Sequence, residues 1–90
     1  MEKFKVNPSQ ISAKLDEGTI ILKLDAGEYY SLKNSVGSLI WNMLEENAVT
    51  LDELTNSVTD QFEIDAETCR NDIRRVIDEL LNYHLIETIH

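Results

Sequence analysis

The chain of 90 residues is short of the residue types on which many protein functions depend. It has one cysteine, one proline, three glycines and no apolar run long enough to cross a bilayer. A single cysteine cannot form an internal disulfide, which is typical of a reducing compartment. The start MEKFKVNPSQ also lacks the long apolar segment of a secretory signal. We therefore expect one small domain, residues 1–90, in the cytoplasm and without membrane contact.

Basic residues are scarce as well. Eight Lys and Arg stand against seventeen Asp and Glu, which gives a formal net charge of −9. The field of such a protein repels phosphate backbones, because nonspecific nucleic-acid binding comes largely from Lys and Arg that neutralise phosphates. The charge balance therefore argues against nucleic acid as a partner.

Motifs for catalysis and metal binding are missing from the sequence. It contains no CxxC, no HExxH, no glycine-rich phosphate loop and no nucleophile elbow. His84 and His90 have no helical i, i+4 partner, which favours surface histidines over a metal pair. Cys69 falls on an apolar helical stripe, which favours a small core residue over a reactive thiol. We expect the protein not to be an enzyme and to use no cofactor or metal.

Three short β-rich runs, Ile11–Leu15, Thr19–Leu24 and Glu28–Leu32, occupy the first third of the chain. The residues DEG and DAG between them are typical of hairpin connections. The runs therefore predict a small antiparallel sheet.

The second connection predicts which residues face each other in this sheet. A three-residue loop that ends at Gly27, with this glycine in the left-handed conformation, pairs Leu22 with Tyr30 and forms one apolar face. Tyr30 then points into the core. Tyr29 points away from it, together with Ile21.

Three amphipathic helices follow the strands. Thr50 and Glu53 have capping-box spacing at the start of the second helix, and Asp65 is a plausible N-cap for a third helix that runs to about Tyr83. The three apolar stripes comprise Val36, Leu39, Ile40, Met43 and Leu44; Leu51, Leu54, Val58 and Phe62; and Cys69, Ile73, Val76, Ile77, Leu80 and Leu81.

These elements predict an α+β fold, a winged helix-turn-helix with a small N-terminal three-stranded antiparallel sheet followed by three helices. Leu85–Ile89 would form a short closing strand or wing. A winged helix normally suggests DNA binding, but the second helix, LDELTNSVTDQFEI, has no Lys or Arg. Since phosphate contacts need a basic face, the charge decides against DNA.

The order of four motifs carries a family resemblance. L-x-L-D-x-G-x-Y-Y-x-L at residues 22–32 is followed by SVGSLIWNML at 35–44, TLDEL at 50–54 and an aliphatic-rich helix that ends in LI. This order resembles the PqqD-like family, the recognition elements that bind leader peptides of ribosomally made, post-translationally modified peptides. The resemblance covers about residues 10–87. Within the family, GEYYSL and GSLIW look closer to the free-standing leader-binding proteins of lasso-peptide clusters.

The resemblance implies a module that accepts a leader peptide as a fourth strand along its last sheet strand, in a cleft shared with the third helix. It also implies delivery of the precursor to a separate maturation enzyme, with the leader peptidase of a lasso pathway as the first candidate. The alternatives are a radical-SAM or other peptide-modifying enzyme as partner and, outside the family, a winged-helix DNA-binding protein.

The residues themselves are compatible with peptide binding. A strand without a covering partner offers unpaired backbone groups, and Arg70, Arg74, Ile77 and Leu81 are spaced to form one shoulder beside the core stripe. The candidate peptide-binding residues are Glu28, Tyr29, Tyr30, Ser31, Leu32, Arg70, Ile73, Arg74, Ile77 and Leu81. Alternative roles are core packing for Tyr30, a strand-favouring aromatic at Tyr29, and surface ion pairs for the two arginines.

Overall fold

The computed structural model describes residues 2–8, 10–14, 18–24, 27–33 and 35–89. The elements, in chain order, are β1 (Lys3–Val6), β2 (Gln10–Lys14), β3 (Thr19–Lys23), β4 (Glu28–Leu32), α1 (Ser35–Glu46), α2 (Leu51–Gln61), α3 (Ala66–Asn82) and β5 (Ile86–Ile89). The predicted α+β class, with three helices and antiparallel sheets, is confirmed. Parts of the two predicted connections, residues 15–17 and 25–26, lie outside the described residues, as does His90.

The strands form two sheets, of which the sequence predicted only one. The three predicted strands pair in the order β2-β3-β4, while the unpredicted β1 precedes them and pairs with β5. Phe4 of β1 also pairs with Val49, in the segment between α1 and α2, through N–H to carbonyl distances of 2.7 and 3.0 Å. The segment Leu85–Ile89 therefore closes the fold as a strand beside the N-terminus.

The predicted register between β3 and β4 is wrong by one residue. Ile21 lies opposite Tyr30, and the last pair is Lys23 with Glu28. The Lys23 carbonyl accepts a hydrogen bond from Gly27 at 3.0 Å, and Gly27 has the predicted left-handed conformation, with φ of 66°. Because β3 is apolar on both faces, its pattern does not distinguish the two registers.

The shifted register changes which side of β3 is buried. Ile21, predicted to point outward, is fully buried, whereas Leu22 is 45% exposed. The predictions for β4 are confirmed, since Tyr30 is half-buried and packs against the core while Tyr29 is exposed.

The predicted helix starts are confirmed by their capping contacts. The Thr50 hydroxyl accepts a hydrogen bond from the Glu53 backbone at 3.1 Å, and the Glu53 carboxylate accepts one from the Thr50 backbone at 3.0 Å. These bonds lower the pKa of Glu53. The Asp65 carboxylate caps α3 by accepting from the Thr68 N–H at 3.1 Å. Both helices therefore begin where local side-chain chemistry sets the boundary.

The core lies between the helices and the inner faces of the two sheets. Trp41 of α1 is fully buried, and the inner face of β3 meets α1 through a 2.9 Å hydrogen bond between the hydroxyls of Thr19 and Ser38. The buried apolar residues are Phe4, Ile21, Leu32, Ile40, Trp41, Leu44, Val49, Leu54, Val58, Cys69, Ile73, Ile77, Leu80, Leu85 and Ile86. This core holds the β2-β3-β4 sheet in place with β4 near α3.

Candidate peptide-binding site

Strand β4 is an edge of the three-stranded sheet. Within the described parts of the chain it pairs only with β3, so one side of its backbone has no neighbouring strand. Such an edge presents N–H and C=O groups to any extended peptide that approaches it. All five candidate residues from Glu28 to Leu32 lie on this strand, as predicted.

Tyr30 connects β4 to the C-terminal half of α3. Its hydroxyl donates a hydrogen bond of 2.5 Å to the Glu79 carboxylate, and its ring lies 5.1 Å from the ring of Tyr83 at an angle of 48°. Burial, assisted by the carboxylate, raises the pKa of Tyr30 well above its ordinary range, because both favour the neutral phenol. Tyr30 is therefore a neutral donor. With Glu79 and Tyr83 it fills the space between β4 and α3, and we call this group the Tyr30 floor.

An apolar cleft lies between the start of α1, α2 and α3. It has a volume of about 180 Å³, and its apolar lining includes Val36, Ile40, Val58, Ile64, Ile73 and Val76. Asp72 and Arg75 also line it, and they form an exposed ion pair at 3.5 Å. Burial raises the pKa of the Cys69 thiol, which also lines the cleft and is 2% exposed. The cleft is large enough to accept an apolar side chain. Val76 of its lining lies about one turn before Glu79, so the cleft and the Tyr30 contact share one flank of α3.

The structure does not bring the two predicted arginines to this cleft. Arg70 pairs with Asp52 of α2, and Arg74 lies 3.5 Å from Asp78 on its own helix. Both arginines line a separate depression with Phe4 of β1. At 3.6 residues per turn, they fall on the flank of α3 opposite to Glu79, across the buried stripe. In this structure the two arginines therefore form surface ion pairs, which is the alternative role considered for them.

The aliphatic members of the predicted shoulder lie deeper than expected. Ile73 is 1% exposed and Ile77 is 0% exposed, so their side chains belong to the core. Ile73 borders the cleft from within, whereas Leu81 is half-buried on the Arg70 flank of the helix. The shoulder is not a continuous surface, because its central residue, Ile77, is buried in the core.

Four residues of α3 and its C-cap, which contact Tyr30 of β4 or line the cleft, were missed. They are Asp72, Val76, Glu79 and Tyr83, which are spaced 4, 3 and 4 residues apart. The chosen set at positions 70, 74, 77 and 81 has the same spacing. Helical period alone therefore predicts two equivalent flanks, and only the packing of α3 against the sheet distinguishes them.

The described residues contain neither a metal-binding cluster nor a membrane-spanning helix. Within them, no group of three or more His, Cys, Asp or Glu side chains is arranged to hold a metal ion. None of their helices is long and apolar enough to cross a membrane.

Comparison with known proteins places this geometry in a family. The family model for coenzyme PQQ synthesis protein D (PqqD) matches residues 18–86. TbiB1 in complex with the TbiA(beta) leader peptide is a similar solved structure, 31% identical, with a TM-score of 0.83 over 92% of this chain and 94% of that one.

A second solved structure shows the same fold at lower identity. Lasso peptide synthetase B1 complexed with the leader peptide is 19% identical, with a TM-score of 0.76 over 93% of this chain and 96% of that one. No curated protein matches the chain at a significant level. The resemblance carried by the ordered motifs is confirmed, and the chain belongs to the PqqD family.

Proposed function

We propose that this protein binds the leader segment of a ribosomally made precursor peptide and presents it to a separate maturation enzyme, without catalysing a reaction itself. The leader adds to the sheet as a strand along β4. The first candidate for the enzyme is the leader peptidase of a lasso pathway, and the alternative is a radical-SAM or other modifying enzyme. Since the precursor is made on the ribosome, the proposal places the protein in the cytoplasm.

The observation that carries the proposal is the open edge of β4, together with an apolar cleft on the same flank of α3 as Glu79, the partner of Tyr30. Backbone groups along the edge supply affinity that is independent of sequence, and the cleft supplies pockets for particular side chains. The similar chain TbiB1 is complexed with a leader peptide, which supports the same use of this fold here. We further describe α1, α2, α3 and β5 as a winged helix-turn-helix, because they follow its order of three helices and a wing.

The magnitudes suit a reversible complex. Two buried apolar anchors contribute roughly 1.5 to 3 kcal/mol each, and about four strand hydrogen bonds add roughly 0.5 to 1.5 kcal/mol each. Ordering a flexible leader opposes part of this gain, which leaves on the order of −8 kcal/mol, a micromolar dissociation constant. Such an affinity lets the precursor leave once it is processed.

Within this site we assign the leader contacts to Tyr30, Val76, Glu79 and Tyr83 as well as to the edge of β4. The sequence-based prediction instead uses Arg70, Arg74 and Leu81, on the other flank of α3. Tyr83 and Arg74 offer a matched pair for deciding between them, because both are exposed side chains of the α3 region, on opposite flanks of the helix.

The experiment is a titration of the labelled leader peptide against wild type, Tyr83→Ala and Arg74→Ala, with melting curves for all three. We expect Tyr83→Ala to weaken leader binding about tenfold, equivalent to about 1.4 kcal/mol, because it removes the ring that packs against Tyr30. Arg74→Ala should bind within twofold of wild type.

The reverse result, with binding lost only in Arg74→Ala, would place the leader on the Arg70 flank. A wild-type protein that does not bind the leader at all would refute the proposed function.

A further inference from the structure

Glu79, in the proposed leader site, is an acidic residue without a basic partner. All eight Lys and Arg residues of the chain lie in the part that the structure describes. Among these described residues, each of the three arginines of α3 pairs with an aspartate, and Lys5 pairs with Glu87. None of these ion pairs includes Glu79, so its carboxylate has no basic side chain of this chain in contact.

The Glu79 carboxylate is nevertheless held in position. The Tyr30 hydroxyl donates its 2.5 Å hydrogen bond to Oε2 of Glu79, and the Tyr30 ring packs against Tyr83. A carboxylate can accept about four hydrogen bonds, so this contact leaves most of its acceptor positions free. Because Glu79 is exposed, the Tyr30 floor presents an oriented negative charge to solvent and to a ligand.

The end of α3 adds to this negative charge. Glu79 lies in the last turn of the helix, Ala66–Asn82, and that turn contains no basic residue. The last carbonyl groups of a helix carry a partial negative charge that favours a cation nearby. The helix end and the Glu79 carboxylate therefore both attract positive charge at the same place.

The strand side of the site does not neutralise Glu79. Its basic residue is Lys23 of β3, which is the direct cross-strand partner of Glu28 and therefore has an acidic neighbour of its own. Lys23 and Glu28 border a small recess together with Tyr30 and Tyr83. The exposed Tyr83 ring favours a cation as well, since aromatic faces attract positive charge.

We propose that the leader contributes a Lys or Arg side chain that binds Glu79, so that the site selects leaders by a basic residue as well as by apolar ones. The inference rests on the proposed function and names the chemistry of one leader residue. Side chains of a strand added along β4 alternate between its two faces, so every second leader residue lies on the face of Tyr30. One such residue, if basic, forms a charge-assisted hydrogen bond with Glu79.

The test is a titration of a labelled synthetic leader from the precursor of the same pathway. The peptide is acetylated at its N-terminus, so that only side chains supply positive charge. The proteins are wild type, Glu79→Gln and Asp78→Asn. Glutamine keeps an oxygen that can accept from Tyr30, whereas Asp78→Asn makes the same change in net charge beside Arg74, away from the Tyr30 floor.

We expect Glu79→Gln to weaken leader binding about fivefold or more, while Asp78→Asn stays within about twofold of wild type. Replacing each Lys and Arg of the leader by Met, one at a time, should identify one position that matters. Its loss should weaken binding to wild type about fivefold and leave binding to Glu79→Gln unchanged, because the contact is already absent there.

Unchanged leader affinity in Glu79→Gln would overturn the inference. Equal losses in Glu79→Gln and Asp78→Asn would also overturn it, because they would show attraction by net charge and not a contact. A leader that binds wild type although it has no Lys or Arg would do so too.

The Met-substituted leaders test the contact on the wild-type protein, so the result does not depend on how well Glu79→Gln folds. If no Lys or Arg of the leader is coupled to Glu79, the inference fails while leader binding itself persists. A wild-type protein that does not bind the leader at all refutes the proposed function instead.

Discussion

Tyr29 and Tyr30 are adjacent in the chain but lie in different environments. Alternation along β4 turns the Tyr29 side chain to solvent, where it is 72% exposed, and turns the Tyr30 side chain towards α3. Tyr30 joins strand and helix through Glu79 and Tyr83, so that it stabilises the fold and also lies in the proposed site.

The Tyr30 hydroxyl should make a contribution to stability that depends on pH. Burial and the Glu79 carboxylate raise the pKa of Tyr30 above its ordinary value of 10.0, so the unfolded chain loses this proton at lower pH than the folded chain does. The contribution is therefore fully present below pH 10 and is lost as the pH rises towards the folded value. We expect Tyr30→Phe to lower the free energy of unfolding by about 1 kcal/mol at pH 7, and the difference to shrink above about pH 10.

Urea unfolding at a series of pH values on both sides of 10 measures this effect. Tyr29→Phe is the control, since it removes a hydroxyl that is exposed to solvent and should leave the free energy of unfolding unchanged at pH 7. A Tyr30→Phe difference that stays constant up to strongly alkaline pH would contradict the assigned role of the hydrogen bond.

At the scale of elements, the candidate site depends on α3. Two backbone hydrogen bonds from the residues after Tyr83 end this helix. The N–H of His84 donates to the Leu81 carbonyl at 3.1 Å, and that of Leu85 donates to the Leu80 carbonyl at 3.0 Å. This is a Schellman motif, which requires a left-handed residue, and His84 accordingly has a φ of 60°. A left-handed conformation costs a residue with a Cβ roughly 1 to 2 kcal/mol.

Replacing His84 with glycine should therefore stabilise the protein. We expect His84→Gly to raise the free energy of unfolding by about 1 kcal/mol, because glycine adopts positive φ without the steric cost. Chemical denaturation of wild type, His84→Gly and Asn82→Gly measures it. Asn82 lies within α3, so glycine there should destabilise by up to about 1 kcal/mol. Equal destabilisation by both variants would show that the cap does not determine the effect.

At the scale of the whole molecule, the excess of acidic residues argues against DNA as a partner. The net charge is −9, and α2 carries no Lys or Arg. The described arginines of α3 all lie within reach of a carboxylate, at Asp52, Asp72 or Asp78. A phosphate backbone would therefore meet no uncompensated basic face on these two helices.

We expect no binding to random duplex DNA in a gel-shift assay at moderate salt. The same protein preparation should bind the labelled leader, which serves as the positive control for folding. A DNA shift that weakens as salt is added would show phosphate contacts and would support the DNA-binding alternative.

The sequence by itself determined the features that depend on neighbours in the chain. The capping box at Thr50, the Asp65 cap, the left-handed Gly27 and the opposite sides of Tyr29 and Tyr30 were all predicted, because each follows from residues a few positions apart. The ordered motifs also identified the family, since they extend over most of the chain.

Tertiary structure decided the features that depend on distant segments. β1 pairs with β5 from the other end of the chain, and its four residues KFKV give only a weak alternating signal. The register of β3 depended on which apolar face meets α1, so Ile21 rather than Leu22 became core. The sequence also could not determine which flank of α3 faces β4, because positions 70, 74, 77 and 81 repeat with the same period as 72, 76, 79 and 83. Helical period fixes which residues share a face, but only packing fixes what that face meets.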